Sequence, residues 1–319
     1  MGNGYGQIYF YRNIGTAQNY NFTLVSSQWQ GVSVGSYSAP EFCDIDGDGD
    51  LDLFVGREHN SGNATNGDVF FYKNIGTPTS PAFQLITGNY LTMDVGQNAI
   101  EQLIDIDADG KLDLFVSSGD NIRYYHNNGT AQSPSFTLVT TQFLGISLQD
   151  IQPFFCDLDA DGDYDLVAGN SEGGPLSLHF YVNRGTARNP NLVFYTDTIA
   201  MNNYFVIITP SLADIDGDGD LDLFIIDDWG DVYFYLNTGT PQRPRFQFVT
   251  NNWLNINVSD HRYLRFFDID GDGDLDLFLD SYPNGNWGLG NLYYSENIGT
   301  PHNAQMIQRT NQYLPTRAS

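Results

Sequence analysis

The chain has 319 residues, 41% of them hydrophobic, and a formal charge of −26. No apolar run is long enough to span a bilayer, so we expect no membrane insertion. The acidity is local, because 24 of the 39 acidic residues lie in five short segments and the rest of the chain is almost neutral. This pattern indicates cation-binding loops. Since the sequence offers no basic footprint, nucleic acid is not an expected partner.

Residues 1–38 are predicted to form a pair of β-strands. The segment Tyr11-Arg-Asn13-Ile-Gly-Thr16 ends one strand in a turn, and a second apolar run follows. The opening Met-Gly-Asn-Gly lacks the charged and apolar regions of a secretory signal. We therefore expect that a signal has been removed or that the chain is a segment of a longer protein.

Five repeats of about 55 residues follow, spanning approximately residues 39–95, 96–148, 149–205, 206–258 and 259–315. Each contains four short strand-like runs, here named A to D, separated by turn signals, and no run has a helical period. Four strands per repeat of this length predict an all-β fold, a β-propeller of four-stranded blades. The N-terminal pair then corresponds to runs C and D of a half-blade, and a single domain over residues 1–319 is expected.

Run C of each repeat ends in the pattern Y-x-N-x-G-T. It recurs at Asn74, Asn127, Asn183 and Asn237. At Asn297 the tyrosine stands one residue further upstream, in Tyr294-Ser-Glu-Asn297. This extra residue predicts a β-bulge in the last repeat.

Runs A and B are joined by a nine-residue loop with aspartate at positions 1, 3, 5 and 9. Calcium takes about six to eight oxygen ligands, and four such carboxylates can surround one ion if the loop turns tightly. Glycine at position 6 permits that turn through a positive φ angle. Position 7 is expected to offer its backbone carbonyl, which explains a lysine there in the second loop. The predicted ligands of five calcium sites are Asp44, Asp46, Asp48, Asp50 and Asp52; Asp105, Asp107, Asp109, Lys111 and Asp113; Asp157, Asp159, Asp161, Asp163 and Asp165; Asp214, Asp216, Asp218, Asp220 and Asp222; and Asp268, Asp270, Asp272, Asp274 and Asp276.

Two other interpretations of these loops are available. An EF-hand needs a glutamate at position 12 between flanking helices, but the five residues there are apolar: Val55, Val116, Ala168, Ile225 and Leu279. The other interpretation is a solvated acidic turn without metal. Five copies in phase favour the calcium sites over such turns.

The segment from Ala39 to Gly56, followed by Gly67-Asp-Val-Phe-Phe-Tyr72, resembles an FG-GAP or VCBS-type repeat. Such repeats build the propeller of integrin α-subunits and of many secreted or surface proteins. The resemblance implies calcium in the A–B hairpins, and ligands on the opposite face or in clefts between blades. It also implies an extracellular or cell-surface location. Five A–B loops but six C-type motifs favour a six-bladed ring that lacks one A–B pair. Either one blade is incomplete, or upstream sequence is missing, or the N-terminal pair completes a neighbouring molecule.

We expect a non-enzymatic binding or adhesion module, with a glycan or a cell-surface protein as its ligand. The candidate ligand-binding residues are aromatic side chains in the B–C connections: Trp229, Tyr282 and Trp287. These rings could equally cover the blade tops. One alternative is a structural or self-assembling surface protein that associates through the N-terminal strand pair. Another is an accessory domain of a secreted polysaccharide-degrading enzyme.

Overall fold

The computed structural model describes residues 2, 5–16, 22–35, 38–57, 69–87, 100–130, 134–148, 151–169, 176–201, 208–227, 231–253, 264–281, 291–300 and 302–310. Within these ranges the chain forms 22 β-strands and two short 3₁₀ turns. No helix in the described ranges is long and apolar enough to cross a membrane.

The strands form one two-stranded sheet and five four-stranded sheets. The two-stranded sheet pairs β1 (Phe10–Asn13) with β2 (Phe22–Ser26). Blade 1 contains β3 (Ser38–Cys43), β4 (Asp52–Arg57), β5 (Val69–Asn74) and β6 (Phe83–Thr87). Blade 2 contains β7 (Ile100–Ile104), β8 (Asp113–Ser118), β9 (Asn121–Asn127) and β10 (Phe136–Thr140). Blade 3 contains β11 (Gln152–Cys156), β12 (Asp165–Gly169), β13 (Leu176–Asn183) and β14 (Leu192–Met201). Blade 4 contains β15 (Ile208–Ala213), β16 (Asp222–Asp227), β17 (Val232–Asn237) and β18 (Phe246–Thr250). Blade 5 contains β19 (Leu264–Phe267), β20 (Asp276–Ser281), β21 (Asn291–Asn297) and β22 (Met306–Thr310).

The predicted four-stranded blades are confirmed. In each blade, runs A to D pair in sequence order and are antiparallel, and each nine-residue loop joins the first strand to the second. The predicted N-terminal strand pair is present as the sheet of β1 and β2, and its role as half of a blade stays a prediction. The six-bladed ring and the single domain stay predictions.

The irregularity predicted for the last repeat is present, as a register shift between Tyr294 and Ser295, but an extra residue is not its cause. Asn297 pairs with Met306 just as Asn74 pairs with Phe83, and Ser295 occupies the register position of Tyr72. A register shift occurs between strands C and D in all five blades. The last repeat therefore has no extra residue, because serine replaces the tyrosine and Tyr294 takes the preceding position.

The chain divides into two compact units. The first comprises residues 1–10, 26–151 and 185–190, and the second comprises residues 11–25, 152–184 and 191–319. Strand B is buried along its length in blades 3 and 4, which explains its continuous apolar sequence. Within each unit, apolar side chains of neighbouring blades pack together. In the first unit, Phe54 and Phe71 of blade 1 share a core cluster with Leu114 of blade 2.

Blades 1 and 2 also exchange two hydrogen bonds through glutamates. The N–H of Gly56 donates to Glu101 Oε1 at 2.7 Å, and the N–H of Leu103 donates to Glu41 Oε1 at 3.3 Å. Glu101 is buried and its Oε2 has no hydrogen-bond partner. Burial, followed by the nearby charge of Glu41, raises the pKa of Glu101 to about 8.

Replacing this carboxyl should change how stability depends on pH. Folding favours the protonated form of Glu101, because its pKa is higher in the folded than in the unfolded chain. The stability that the protonated carboxyl gives to the fold is lost as pH rises toward about 8. We expect the free energy of unfolding of Glu101→Gln, relative to that of the parent protein, to increase with pH. The increase should be up to about 1.4 kcal/mol per pH unit between pH 5 and 8. Urea denaturation at several pH values in saturating calcium measures this difference. A difference that is constant across this range would contradict the assignment.

Candidate functional site

The first aspartate of each loop fixes the turn. Its carboxylate accepts the N–H groups of positions 5 and 6. In the first loop, Asp48 N–H donates to Asp44 Oδ1 at 3.1 Å and Gly49 N–H donates to Asp44 Oδ2 at 3.0 Å. The corresponding bonds occur at Asp105, Asp157, Asp214 and Asp268. The repeated loop sequence therefore specifies a repeated loop conformation.

Two positions of the loop have positive φ angles. The prediction for position 6 is confirmed, since the five glycines there have φ between 87° and 95°. Position 4 also lies in the left-handed region, which is not predictable in the two loops that have alanine there. Ala108 has φ of 50° and Ala160 has φ of 57°. Non-glycine residues are uncommon in this region, so the loops hold them there against a modest strain.

The last aspartate of each loop joins the hairpin to strand C. Its Oδ1 accepts the backbone N–H of the asparagine in the Y-x-N-x-G-T pattern, at 2.7 Å between Asn74 and Asp52. The other four loops repeat this bond at distances from 2.6 to 2.8 Å. These aspartates are almost completely buried. Position 9 is thus a structural anchor as well as a candidate ligand.

The asparagine side chain organises the next turn, between strands C and D. Asn74 Oδ1 accepts the N–H groups of Gly76 at 3.0 Å and Ala82 at 2.9 Å. A Cβ atom on Gly76 would lie 2.4 Å from the carbonyl oxygen of Ser80. The two repeated sequence patterns are therefore one connected unit. The asparagine binds the last loop aspartate through its backbone N–H and closes the C–D turn through its side chain.

The loop carboxylates converge. One ligand atom from each of positions 1, 3 and 5 lies within 4.8 Å of the others in the first, second and fourth loops, and positions 1, 3 and 9 do so in the third. Several buried carboxylate oxygens have no hydrogen-bond partner. They belong to positions 3, 7 and 9, namely Asp46, Asp50, Asp52, Asp107, Asp159, Asp163, Asp220, Asp222 and Asp274. Buried oxygens without partners are costly, and together they form the oxygen-rich donor set that calcium requires.

Burial also makes the charged state of these groups costly when no cation is near. It raises the pKa of the position-9 carboxyls, to about 6 at Asp52 and Asp165 and to about 7 at Asp222. Backbone N–H donors lower these pKa values, and neighbouring aspartates raise them. Since a divalent cation would favour the charged form, the electrostatics of the loops fit a metal ion.

Basic side chains approach three of the loops. Lys73 Nζ forms an ion pair with Asp46, Lys111 Nζ lies 2.7 Å from Asp109 Oδ2, and Arg184 Nη1 lies 3.5 Å from Asp159 Oδ2. Because an ammonium group neutralises part of the loop charge, it should compete with a bound cation. The five loops are consequently not electrostatically equivalent.

The lysine beside the first loop provides a test of this competition. We expect Lys73→Val, which copies Val182 of blade 3, to strengthen calcium binding at the first loop by about two- to fivefold, the range for a partly exposed ion pair. Lys73→Arg keeps the charge and should leave the affinity unchanged. Competition titration against a chromophoric chelator measures both variants. Weaker calcium binding by Lys73→Val would show that the lysine does not compete.

The predicted ligand-binding residues Trp229, Tyr282 and Trp287 lie outside the described residues. A different aromatic position emerges instead, three residues after strand D, at Trp29, Phe143 and Trp253. In each case a strand-ending hydroxyl accepts the N–H of the residue before the aromatic ring, as between Thr250 Oγ1 and Asn252 at 3.1 Å. A four-residue sequence pattern marks this position: a serine or threonine, any residue, a glutamine or asparagine, and then the aromatic residue.

Trp253 borders a cavity of about 210 Å³ in the second unit, between blades 4 and 5. The indole packs on Phe224 and Phe234, with ring centroids 4.7 and 5.7 Å away. Three polar residues line the cavity, namely Asp216, His302 and Asn303. The rest of the lining is apolar: Ile215, Phe234, Leu236, Trp253, Ala304 and Met306. An aromatic wall beside polar groups is the usual composition of a small-molecule site.

This cavity is connected to the fourth aspartate loop. His302 Nδ1 lies 3.2 Å from the backbone oxygen of Asp216, which is position 3 of that loop. The neighbouring blade repeats the arrangement, since Gln242 Nε2 donates to the backbone oxygen of Asp159 at 3.0 Å. The C–D turn of one blade thus contacts the aspartate loop of the preceding blade at both places.

Comparisons with known proteins place these features in a family. The sequence model of the FG-GAP-like repeat matches residues 1–55, 105–168, 157–225 and 214–279. Among solved structures, the chain is similar to an Agrocybe aegerita lectin described as recognising non-reducing terminal N-acetylglucosamine, with 18% identity and a TM-score of 0.54 over 97% of this chain and 89% of that one. It is also similar to part of the Photorhabdus luminescens Tc holotoxin pore, with 16% identity and a TM-score of 0.38 over 93% of this chain and 15% of that one.

A search of curated protein sequences gave no significant match. The repeat model nevertheless covers more than half of the chain, and the similarity to the lectin extends over nearly all of it. The four-stranded blades and their aspartate loops agree with both findings. The chain therefore belongs to the FG-GAP-like repeat family and has a β-propeller fold.

Proposed function

We propose that this protein is a non-enzymatic glycan-binding propeller whose fold is stabilised by calcium in the aspartate loops. The unpartnered buried carboxylate oxygens of positions 3, 7 and 9 support the calcium sites. The cavity beside Trp253 supports the glycan site. Extracellular modules bind calcium at about 10⁻⁴–10⁻³ M, so the protein would work outside the cytosol, in a secreted or cell-surface setting.

The observation that supports glycan binding most directly is the composition of the Trp253 cavity. A sugar presents an apolar face and several hydroxyls, which match an indole ring beside carboxylate, imidazole and amide groups. The volume is smaller than the roughly 300–1,000 Å³ of pockets for drug-sized ligands, which favours one terminal sugar unit over a chain segment. Binding is favoured over catalysis because the carboxylate in the lining, Asp216, is also a candidate metal ligand.

The lectin of similar fold adds a first ligand to test. Its reported ligand is non-reducing terminal N-acetylglucosamine. At 18% identity this similarity concerns the fold alone. The argument that this chain binds a sugar therefore rests on the cavity beside Trp253. A glycan array in millimolar calcium, repeated after chelation, would identify the preferred terminal sugar.

Substitutions at the cavity test the site itself. We expect Trp253→Ala and His302→Ala to weaken glycan binding by at least tenfold, because the first removes the aromatic wall and the second a polar group of the lining. Gln242→Ala is the matched control, since Gln242 makes the equivalent contact to Asp159 away from this cavity. Isothermal titration with the sugar selected on the array gives the affinities. Equal losses in His302→Ala and Gln242→Ala would place the ligand elsewhere.

A further inference from the structure

The second loop differs from the other four in two ways. Position 7 is Lys111, whose Nζ lies 2.7 Å from Asp109 Oδ2 and donates to the backbone oxygen of Asn127 at 2.9 Å. The loop therefore carries one carboxylate fewer, and a second one is engaged by an ammonium group. Although position 7 is expected to bind through its backbone carbonyl, both changes lower the negative charge of the loop, on which calcium affinity depends.

The second difference is an imidazole. His126 lies on β9 immediately before Asn127, and its Nδ1 is 3.0 Å from Asp113 Oδ1 and 3.8 Å from Asp107 Oδ2. One ligand atom from each of these three residues lies within 4.8 Å of the others. The equivalent residues of the other blades, Lys73, Val182, Leu236 and Glu296, offer no imidazole.

The two carboxylates are placed for a ligand. Asp107 Oδ1 is buried and has no hydrogen-bond partner. Asp113 is 1% exposed, and its carboxylate is oriented by the N–H of Asn127 at 2.7 Å and the hydroxyl of Tyr124 at 3.1 Å. Hydrogen bonds of this kind fix the direction of metal-binding side chains.

The distances suit a small metal ion. Ligands at about 2.1 Å from a zinc-type ion are separated from one another by about 3.0–3.4 Å. The 3.0 Å distance from His126 to Asp113 lies in this range, and the 3.8 Å distance to Asp107 requires that carboxylate to move inward by a few tenths of an ångström. Imidazole with carboxylates suits zinc, cobalt, nickel or iron, whereas calcium prefers oxygen alone. We propose that His126, Asp107 and Asp113 bind one divalent transition-metal ion in the second loop, with water completing its coordination. The site depends on these residues only and stands whether or not the other loops bind calcium.

Cobalt(II) titration of the full chain in 10 mM calcium tests this site. We expect one equivalent of cobalt to bind, and its visible d–d absorption band to change in position and intensity when the imidazole coordinates. Its affinity should fall at least tenfold in His126→Gln and in Asp107→Asn, and it should be unchanged in the control His179→Gln, a histidine of β13. The same affinity in His126→Gln, or displacement of cobalt by the calcium, would overturn the proposal.

A second measurement uses the unmodified protein, in case a variant fails to fold. Diethyl pyrocarbonate modifies accessible histidines, and mass spectrometry locates the modified residue. One equivalent of zinc should protect His126 but leave His302 reactive. Equal modification of His126 with and without zinc would show that its contact with Asp113 is an ordinary hydrogen bond and that the loop holds no transition metal.

Discussion

Chelation of calcium should lower the thermal midpoint of the protein by roughly 10 °C or more. Each occupied loop stabilises the folded chain by about 1.4 kcal/mol when free calcium is ten times the dissociation constant. Four aspartate loops then contribute about 6 kcal/mol, which is comparable with the net stability of a domain. For a chain of this length, one kcal/mol shifts the midpoint by roughly 2 °C.

The physical reason lies in the loop carboxylates. Without a cation, buried oxygens of positions 3, 7 and 9 have no partner, and neighbouring aspartates repel one another. Scanning calorimetry in 2 mM calcium and in excess chelator measures the effect, and magnesium at the same concentration is the control for ionic strength. A midpoint that is equal in calcium and in chelator would show that the loops do not stabilise the fold through a metal.

The substitution Asp222→Asn should change stability in opposite directions with and without calcium. In calcium it removes a charged ligand, so we expect a loss of about 1–3 kcal/mol. In chelator it removes a buried charge whose pKa is raised to about 7, so we expect a gain of similar order. The amide oxygen can still accept the N–H of Asn237, which preserves the 2.7 Å anchor to strand C.

This reversal of sign separates a metal ligand from a purely structural aspartate. Asp120→Asn is the matched control, because Asp120 is exposed in the turn between β8 and β9 and should change stability by less than about 0.5 kcal/mol in both conditions. Urea denaturation with and without chelator gives the four differences. A loss of stability by Asp222→Asn in both conditions would contradict its assignment as a calcium ligand.

The strands and loops were predictable because their information is local and repeated. The period of the aspartate loops places the A–B hairpins, and the short apolar runs place the four strands of each blade. The positive φ angle at position 6 follows from the glycine there. At position 4 the same backbone conformation could not be foreseen from Ala108 or Ala160, because the surrounding hydrogen bonds impose it on a residue that disfavours it.

The connections between motifs required the structure. Asn237 and Asp222 are each conspicuous in the sequence, but the hydrogen bond between them joins positions 15 residues apart. Trp253 and His302 meet at one cavity only because adjacent blades pack together. His126 is a further case, since a histidine in a strand gives no sign that it faces Asp107 and Asp113 across a hairpin.

Counting bound calcium tests the central claim most directly. Equilibrium dialysis against millimolar calcium, followed by elemental analysis of the folded protein, gives the number of ions retained per chain. The account predicts at least four saturable equivalents, one of which is lost in Asp222→Asn. A folded protein that retains no calcium under these conditions would contradict it.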